Sequence, residues 1–89
     1  MILPDVNLLL HAYNQDSPYH GRARAWWEEV LSGTELVALA WVTILGFVRI
    51  TTNRAAFSSP VPLDAVLAAV HTWLTHPNVR VVHPDPPAR

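Results

Sequence analysis

The stretch Met1-Ile-Leu-Pro-Asp5-Val-Asn7-Leu-Leu-Leu-His-Ala12 begins the chain and decides its fold. Its first five residues form a short apolar run of the kind that makes a buried parallel strand. Pro4 cannot donate to a sheet ladder, so it is expected at the end of this strand or on a side that makes no ladder bonds. From residue 6 to residue 13, apolar side chains recur at helical spacing. The pattern predicts a strand that turns directly into a helix, with Asp5 at the junction.

Outward from this opening, helical and strand patterns alternate. Ser17-Pro18 is typical of a helix start, because a hydroxyl N-cap precedes a proline at the first helical position, and Ser32-Gly33 ends that helix. Residues 36–39 predict a second buried strand. In residues 41–49, length favours a helix, whereas the β-branched side chains leave the assignment open.

Two more elements follow a loop over residues 51–62. Five apolar positions at helical spacing, from Leu63 to Leu74, predict an amphipathic helix that His76-Pro77-Asn78 stops. Residues 79–82 are a third short strand, rich in valine. Strands that alternate with helices predict an α/β domain with a parallel sheet, whose ligands gather beyond the carboxyl ends of the strands.

Length and composition exclude several classes of protein. The 89 residues suffice for one compact domain over residues 1–89 and are too few for two. Without cysteine there is no disulfide scaffold, thiolate zinc site or cysteine nucleophile. The formal net charge is −1 and all six positive side chains are arginines, which excludes an extensively basic nucleic-acid surface and a P-loop. The longest uncharged apolar run, residues 36–48, is too short to span a bilayer, so we expect a cytoplasmic protein without a membrane segment.

Asp5 and Asn7 form the first candidate site. A carboxylate at the carboxyl end of a strand, with an amide two residues further on, is a half-site for a hard cation such as Mg²⁺. The competing interpretation is that one of these side chains caps the following helix, since Asp and Asn are both preferred N-caps. Spacing alone leaves both interpretations open. Asp85, after the third strand, is a further carboxylate that could reach the same edge of the sheet.

Arg49 and Arg54 form a second candidate site, on either side of Thr51-Thr52-Asn53. Together with Asn53, these guanidinium groups could contact a phosphate group or a carboxylate of a partner protein. A solvated helix end is an equally good interpretation of the same residues.

The aromatic residues favour core packing. Tyr19, Ala23, Trp26 and Val30 recur at helical spacing and predict an apolar stripe on the second helix. Trp26 is therefore expected in the core, as is Trp73 on the last helix, whereas Trp27 is expected to protrude towards an interface. The five histidines show no ligand spacing and are expected to be solvated or locally hydrogen-bonded.

The opening stretch resembles the "MILVDANLLLYA" start of PIN-domain proteins, specifically the VapC-type toxins of bacterial toxin–antitoxin pairs. Further matches follow in the same order and cover essentially the whole chain. They are Ser17-Pro18-Tyr19-His20, Ala25-Trp26, Ala40-Trp41-Val42, the run Phe47-Val48-Arg49-Ile50-Thr51-Thr52-Asn53, Trp73-Leu74 and Pro77-Asn78-Val79-Arg80-Val81.

This resemblance implies a PIN-like three-layer fold with a central parallel sheet, and an endoribonuclease that depends on Mg²⁺ or Mn²⁺. In the family, three or four acidic side chains hold the metal, which activates water to attack an RNA phosphodiester. Asp5 matches the first catalytic carboxylate and metal ligand, and Asn7 matches the catalytic-site polar residue that supports it. The implied partners are an RNA substrate and a cognate antitoxin. Because relatives commonly dimerise, a homodimer is one expected assembly.

The sequence departs from the family pattern in two places. Gly46 stands where a glutamate on the third helix is the usual second acid. The family also continues past the third strand with helix–strand units that carry the remaining acids, so residues 1–89 are expected to form a truncated PIN-like domain, incomplete at its C-terminal end. An alternative function is therefore a non-catalytic PIN remnant that binds protein, either an antitoxin or a partner toxin chain. An unrelated small α/β binding module is a third interpretation.

Overall fold

The computed structural model describes residues 1–57 and 60–83, and Asp85 lies outside them. Within the described residues, helices and strands alternate along the chain. The elements are α1 (Val6–Tyr13), α2 (His20–Ser32), β1 (Val37–Ala40), α3 (Trp41–Thr51), α4 (Leu63–Thr75) and β2 (Val79–Val82). The predicted α/β class is confirmed, and the segment left open between strand and helix belongs to α3. In this described part, no helix is both long and apolar enough to cross a membrane.

The sheet is small. β1 and β2 pair in parallel, with Val37 opposite Val79 and Ala40 opposite Val82. The connection between the two strands runs through α3 and α4, as a parallel crossover requires. The described residues therefore contain a two-stranded parallel sheet, which is smaller than the central sheet expected of a three-layer fold.

The first five residues make one isolated bridge to the sheet, so the predicted parallel pairing is present at Ile2 but does not extend into a strand over residues 1–5. Ile2 bridges Val37 in parallel: its N–H donates to the Leu36 carbonyl and its carbonyl accepts the Ala38 N–H, both at 2.8 Å. In a parallel ladder, the next donor on this segment belongs to residue 4. That residue is Pro4, which has no N–H, so the pairing stops after one residue.

α2 begins at His20, two residues after the start that Ser17-Pro18 predicted. Ser17 instead closes a turn ahead of the helix. Its Oγ accepts the Tyr19 N–H and its carbonyl accepts the His20 N–H, each at 3.1 Å. The same hydroxyl lies 2.7 Å from Nδ1 of His11, so Ser17 ties the turn to α1 and does not cap α2.

Aromatic side chains form the centre of the core. Trp27 and Trp73 meet edge to face with ring centroids 5.4 Å apart, and Phe47 lies 4.8 Å from Trp73. Trp73 is buried as predicted, and its Nε1 donates to the Tyr13 hydroxyl at 2.8 Å. This aromatic cluster joins α1, α2, α3 and α4 into one packed unit.

The two adjacent tryptophans of α2 exchange their predicted places. Trp27 is 1% exposed and lies on a buried stripe with Ala23 and Leu31, whereas Trp26 is only partly buried. The prediction that Trp27 protrudes is therefore wrong. Neighbouring positions on a helix point about 100° apart, so a modest rotation of α2 about its axis decides which indole enters the core.

Candidate functional site

Asp5 occupies the N-cap position of α1, between the Ile2 bridge and the first helical turn. Its backbone is extended, with φ −80° and ψ 147°, and its carbonyl accepts the N–H groups of Leu8 and Leu9 at 3.1 and 3.3 Å. The exposed side chain makes no capping hydrogen bond in the first turn of α1, which the structure describes in full. The backbone alone therefore starts the helix, and the carboxylate is available to a ligand.

Asn7 contacts this carboxylate directly. Its Nδ2 donates to Oδ2 of Asp5 at 3.3 Å, and both side chains are exposed. A bond of this length between solvated groups adds little to stability. It does place the amide against one carboxylate oxygen, and the supporting role of Asn7 stays a prediction.

α3 passes the first turn of α1 at Gly46. A Cβ on residue 46 would lie 3.6 Å from Cγ2 of Val6, the residue between Asp5 and Asn7. Gly46 also faces a cleft of about 270 Å³. The residues that line this cleft are Gly46, Arg49, Ile50 and Asn53. The structure therefore brings a basic cleft next to the segment that carries the predicted metal ligand.

The three predicted contact residues are placed differently. Arg49 is exposed near the end of α3 and lines the cleft. Asn53 lines it too, but its Oδ1 accepts the Ala55 N–H at 2.9 Å, so the side chain also shapes the turn after α3. Arg54 is exposed in that turn and is not a lining residue. Among the described lining residues, Arg49 alone offers a charged group.

The oxygen ligands at this site are of the right type for a hard cation, but they are few. In residues 1–57 and 60–83, no group of three or more His, Cys, Asp or Glu side chains could hold a metal ion. Mg²⁺ is commonly held by one or two carboxylates, with waters and substrate phosphates completing a six-fold shell. Asp5 and Asn7 fit one half of such a site, and Arg49 lines a separate cleft whose residue Gly46 approaches Val6, next to Asp5 in the chain.

A groove between α1 and α2 is a feature that the sequence did not predict. Its volume is about 390 Å³. Its lining residues are Leu8, His11, Tyr19, Arg22, Ala23 and Trp26. The spacing of Tyr19, Arg22 and Trp26 is the signal that could have revealed it, because residues at i, i+3 and i+7 share one helix face. An apolar stripe of this kind is more often a core face, which is what the sequence favoured. The prediction of local hydrogen bonding is confirmed for His11, through Ser17.

These features define a small α/β domain. Its first helix begins at a carboxylate side chain that does not cap the helix, and a basic cleft lies beside that helix. A scan against protein-family models finds no match. The chain is similar, however, to ribonuclease VapC33 of Mycobacterium tuberculosis (strain ATCC 25618 / H37Rv), with 38% identity over 86 residues that cover 97% of this chain and 60% of that protein.

Two further proteins of the same strain give the same result. Ribonuclease VapC37 is 38% identical over 84 residues, which cover 94% of this chain and 58% of that protein. Ribonuclease VapC48 is 32% identical over 78 residues, which cover 88% of this chain and 54% of that protein. The chain belongs to the VapC family, and it spans between 54% and 60% of the length of these three relatives.

Proposed function

We propose that this chain is part of a VapC-type toxin that cleaves RNA phosphodiester bonds with the help of Mg²⁺ or Mn²⁺, and that Asp5 is its first metal ligand. The observation that carries this proposal is the exposed Asp5 carboxylate, which makes no capping bond to α1, accepts a hydrogen bond from Asn7 and precedes Val6, the residue that Gly46 of the Arg49 cleft approaches. The relatives are named as ribonucleases, which supports the class of reaction.

Each side chain has its own role in this proposal. Asp5 binds the cation through its carboxylate, and Asn7 fixes the direction of that carboxylate. Arg49 donates to a phosphate oxygen of the RNA in the cleft, while Asn53 and Arg54 contact the RNA backbone further along. When bound, the cation supplies an activated water and neutralises charge that develops on the phosphodiester.

The affinity of Asp5 for a cation without RNA is expected to be weak. One carboxylate contributes one negative charge, and the Asn7 amide is neutral, whereas cation affinity rises with the number and charge of the oxygen ligands. RNA is therefore expected to strengthen cation binding, because its phosphate adds both ligands and charge. Further carboxylates, of which Asp85 is one candidate, would also strengthen cation binding.

Cleavage of a fluorescently labelled RNA tests the proposal. Activity is expected in Mg²⁺ or Mn²⁺, and is expected to be lost with EDTA and with Asp5→Asn, a substitution that keeps the size of the side chain. Asp64→Asn is the matched control, because it removes an exposed carboxylate from the first turn of α4 instead. Cleavage that survives both EDTA and Asp5→Asn would contradict the proposal.

A second candidate function is a non-catalytic module that binds an antitoxin or another toxin chain. The specific observation in its favour is an apolar patch near the start of α3, where Trp41, Val42 and Leu45 are 43%, 67% and 46% exposed. Large apolar side chains that are exposed together on a protein surface can mark an interaction site.

The two functions give different results on the same sample. A folded chain without metal-dependent cleavage, which co-elutes with its antitoxin or sediments as a dimer, supports the binding module. Leu45→Lys is then expected to weaken the complex, whereas Leu36→Lys, at an exposed apolar residue outside the patch, is the control. Metal-dependent cleavage supports the ribonuclease. A cytoplasmic location accompanies either proposal, since RNA and a cognate antitoxin are both encountered there.

A further inference from the structure

The groove between α1 and α2 differs from the Asp5 cleft in its chemistry, but it begins close to it. Leu8 lines the groove and stands three residues after Asp5, which is about 5 Å along the axis of α1. The groove volume of about 390 Å³ is within the roughly 300–1,000 Å³ typical of small-ligand pockets. A ligand in the groove would therefore lie within one helical turn of the proposed metal site.

The aromatic side chains of the groove are held in place before any ligand binds. Nδ1 of His11 lies 2.7 Å from Oγ of Ser17, which fixes the imidazole. Tyr19 meets this imidazole edge to face, with ring centroids 5.2 Å apart, and is 55% exposed. Trp26 stacks on the buried Trp27, with centroids 6.1 Å apart and an angle of 25° between the planes. Fixed rings of this kind lower the entropy cost of binding a flat ligand.

The groove also carries positive charge. Arg22 is exposed, and in residues 1–57 and 60–83 no ion pair involves it, whereas Arg24 on the same helix pairs with Glu28 at 2.9 Å. None of the lining residues is acidic. The next groove along α2, which shares Trp26 with this one, contains Glu29 and Glu35. A positive groove with exposed ring faces is complementary to an anion that carries flat rings.

We propose that this groove binds one or two nucleotides of single-stranded RNA, with a base stacked on the exposed ring of Tyr19 and a phosphate at Arg22. The inference rests on the proposed function, because it places RNA beside the same Asp5 site. Stacking on an aromatic ring accepts any base, and a guanidinium group neutralises one phosphate. A nucleotide held here directs the adjoining RNA backbone towards the start of α1.

Binding of a labelled oligouridylate of about eight nucleotides, within the ~4–16 nucleotides of known single-strand sites, tests this proposal. Fluorescence anisotropy with the 89-residue chain in EDTA measures binding without metal or cleavage. Tyr19→Leu is expected to weaken binding roughly tenfold, as removal of one stacking ring does, and Tyr19→Phe is expected to retain it. Arg22→Gln is expected to lower the slope of log affinity against log salt by about one. Thermal unfolding of each variant verifies that it is folded.

Arg24→Gln is the matched control, since it removes the same charge from another face of α2 and is expected to leave the salt slope unchanged. Wild-type affinity in Tyr19→Leu, or equal effects of the two arginine substitutions, would overturn the proposal. So would a chain that binds an acidic peptide in this groove and no oligouridylate. A failure of the proposed function would give a different pair of results. The wild-type chain would show no cleavage in Mg²⁺, while the groove variants would still lose oligouridylate binding in EDTA, which supports the groove proposal.

Discussion

Replacing Asn78 with alanine removes the side chain that joins the last strand to the end of α2. Asn78 is buried just before β2, and its Nδ2 donates to the carbonyls of Val30 at 3.1 Å and Glu35 at 3.0 Å. Its own backbone carbonyl accepts the Val37 N–H at 2.8 Å. One residue therefore connects α2, the turn that follows it and the start of β1.

The size of the effect follows from these contacts. Two hydrogen bonds contribute about 1 kcal/mol each, and the partly buried Glu35 carbonyl, which loses its donor, adds about another 1 kcal/mol to the loss, whereas the Val30 carbonyl still accepts the Gly33 N–H. Removal of Oδ1 of Asn78, which is buried and accepts no hydrogen bond in the described part of the chain, offsets about 1 kcal/mol. The free energy of unfolding is therefore expected to fall by about 2 kcal/mol, and Tm by roughly 8–16 °C in a domain of this size.

Urea unfolding followed by tryptophan fluorescence measures this loss, since Trp27 and Trp73 are buried in the folded chain. Asn78→Asp is the matched variant, because it keeps the size of the side chain but turns its donor into a second acceptor. Burial and the two facing carbonyls raise the folded pKa of the introduced carboxyl above its unfolded value of about 3.9.

This variant is therefore expected to be least stable above the folded pKa and to recover as the pH falls through it, because a protonated carboxyl can donate one bond. Asn78→Ala has no such titration. A loss of less than about 0.5 kcal/mol in Asn78→Ala, or the same pH dependence in both variants, would refute the role of these two hydrogen bonds.

Substitutions at three other residues test separate parts of the structure. Gly46→Glu is expected to add a carboxylate near Asp5 and tighten Mn²⁺ binding in calorimetry, whereas Gly46→Ala should add up to about 1 kcal/mol of stability with no gain in metal affinity. Equal metal affinities of the two variants would contradict the placement of Gly46. Tyr13→Phe removes the acceptor for Nε1 of Trp73 and should lower the free energy of unfolding by about 1 kcal/mol, measured in urea; an unchanged value would mean that the bond contributes nothing. Glu28→Gln breaks an exposed i,i+4 ion pair of α2 and should cost less than about 0.5 kcal/mol by thermal unfolding, so a loss above 1 kcal/mol would be evidence for a larger network.

Local patterns are sufficient for the helices and paired strands because the forces that specify them act within a few residues. α4 ends at Thr75, just before His76-Pro77, as a proline stop requires. Whether residues 1–5 form a strand depends instead on their register against β1. Whether Pro4 interrupts a ladder is decided by which residue of β1 lies opposite Ile2, and that partner is 35 residues away in the chain. The choice between Trp26 and Trp27 is non-local too, since packing against α1 sets the rotation of α2.

In the candidate site, too, some contacts follow from the local sequence and others depend on packing between distant elements. Asp5 and Asn7 are two residues apart, so their contact could be predicted from the chain alone. The approach of Gly46 to Val6 depends on how α3 packs against α1, and only the family pattern pointed to that position. Arg49 lines the cleft while Arg54 does not, because the helix ends between them. The metal role of Asp5 stays a prediction that cleavage assays decide.

The single bridge at Ile2 has a thermodynamic consequence for Asp5. The opening segment is attached to the sheet by two backbone hydrogen bonds and by an exposed ion pair, 3.1 Å long, between the Met1 amino group and Glu35. Ile2 also packs against the core, but a segment with so few hydrogen bonds is expected to detach more often than the core unfolds, and the Ile2 and Ala38 amides should exchange their hydrogens before those of the core helices. If Asp5 binds the cation only while the opening segment is attached, the apparent cation affinity equals the intrinsic affinity multiplied by the fraction of molecules with the segment attached. Cation binding at Asp5 should then slow hydrogen exchange at the Ala38 amide in β1, although the cation does not contact β1.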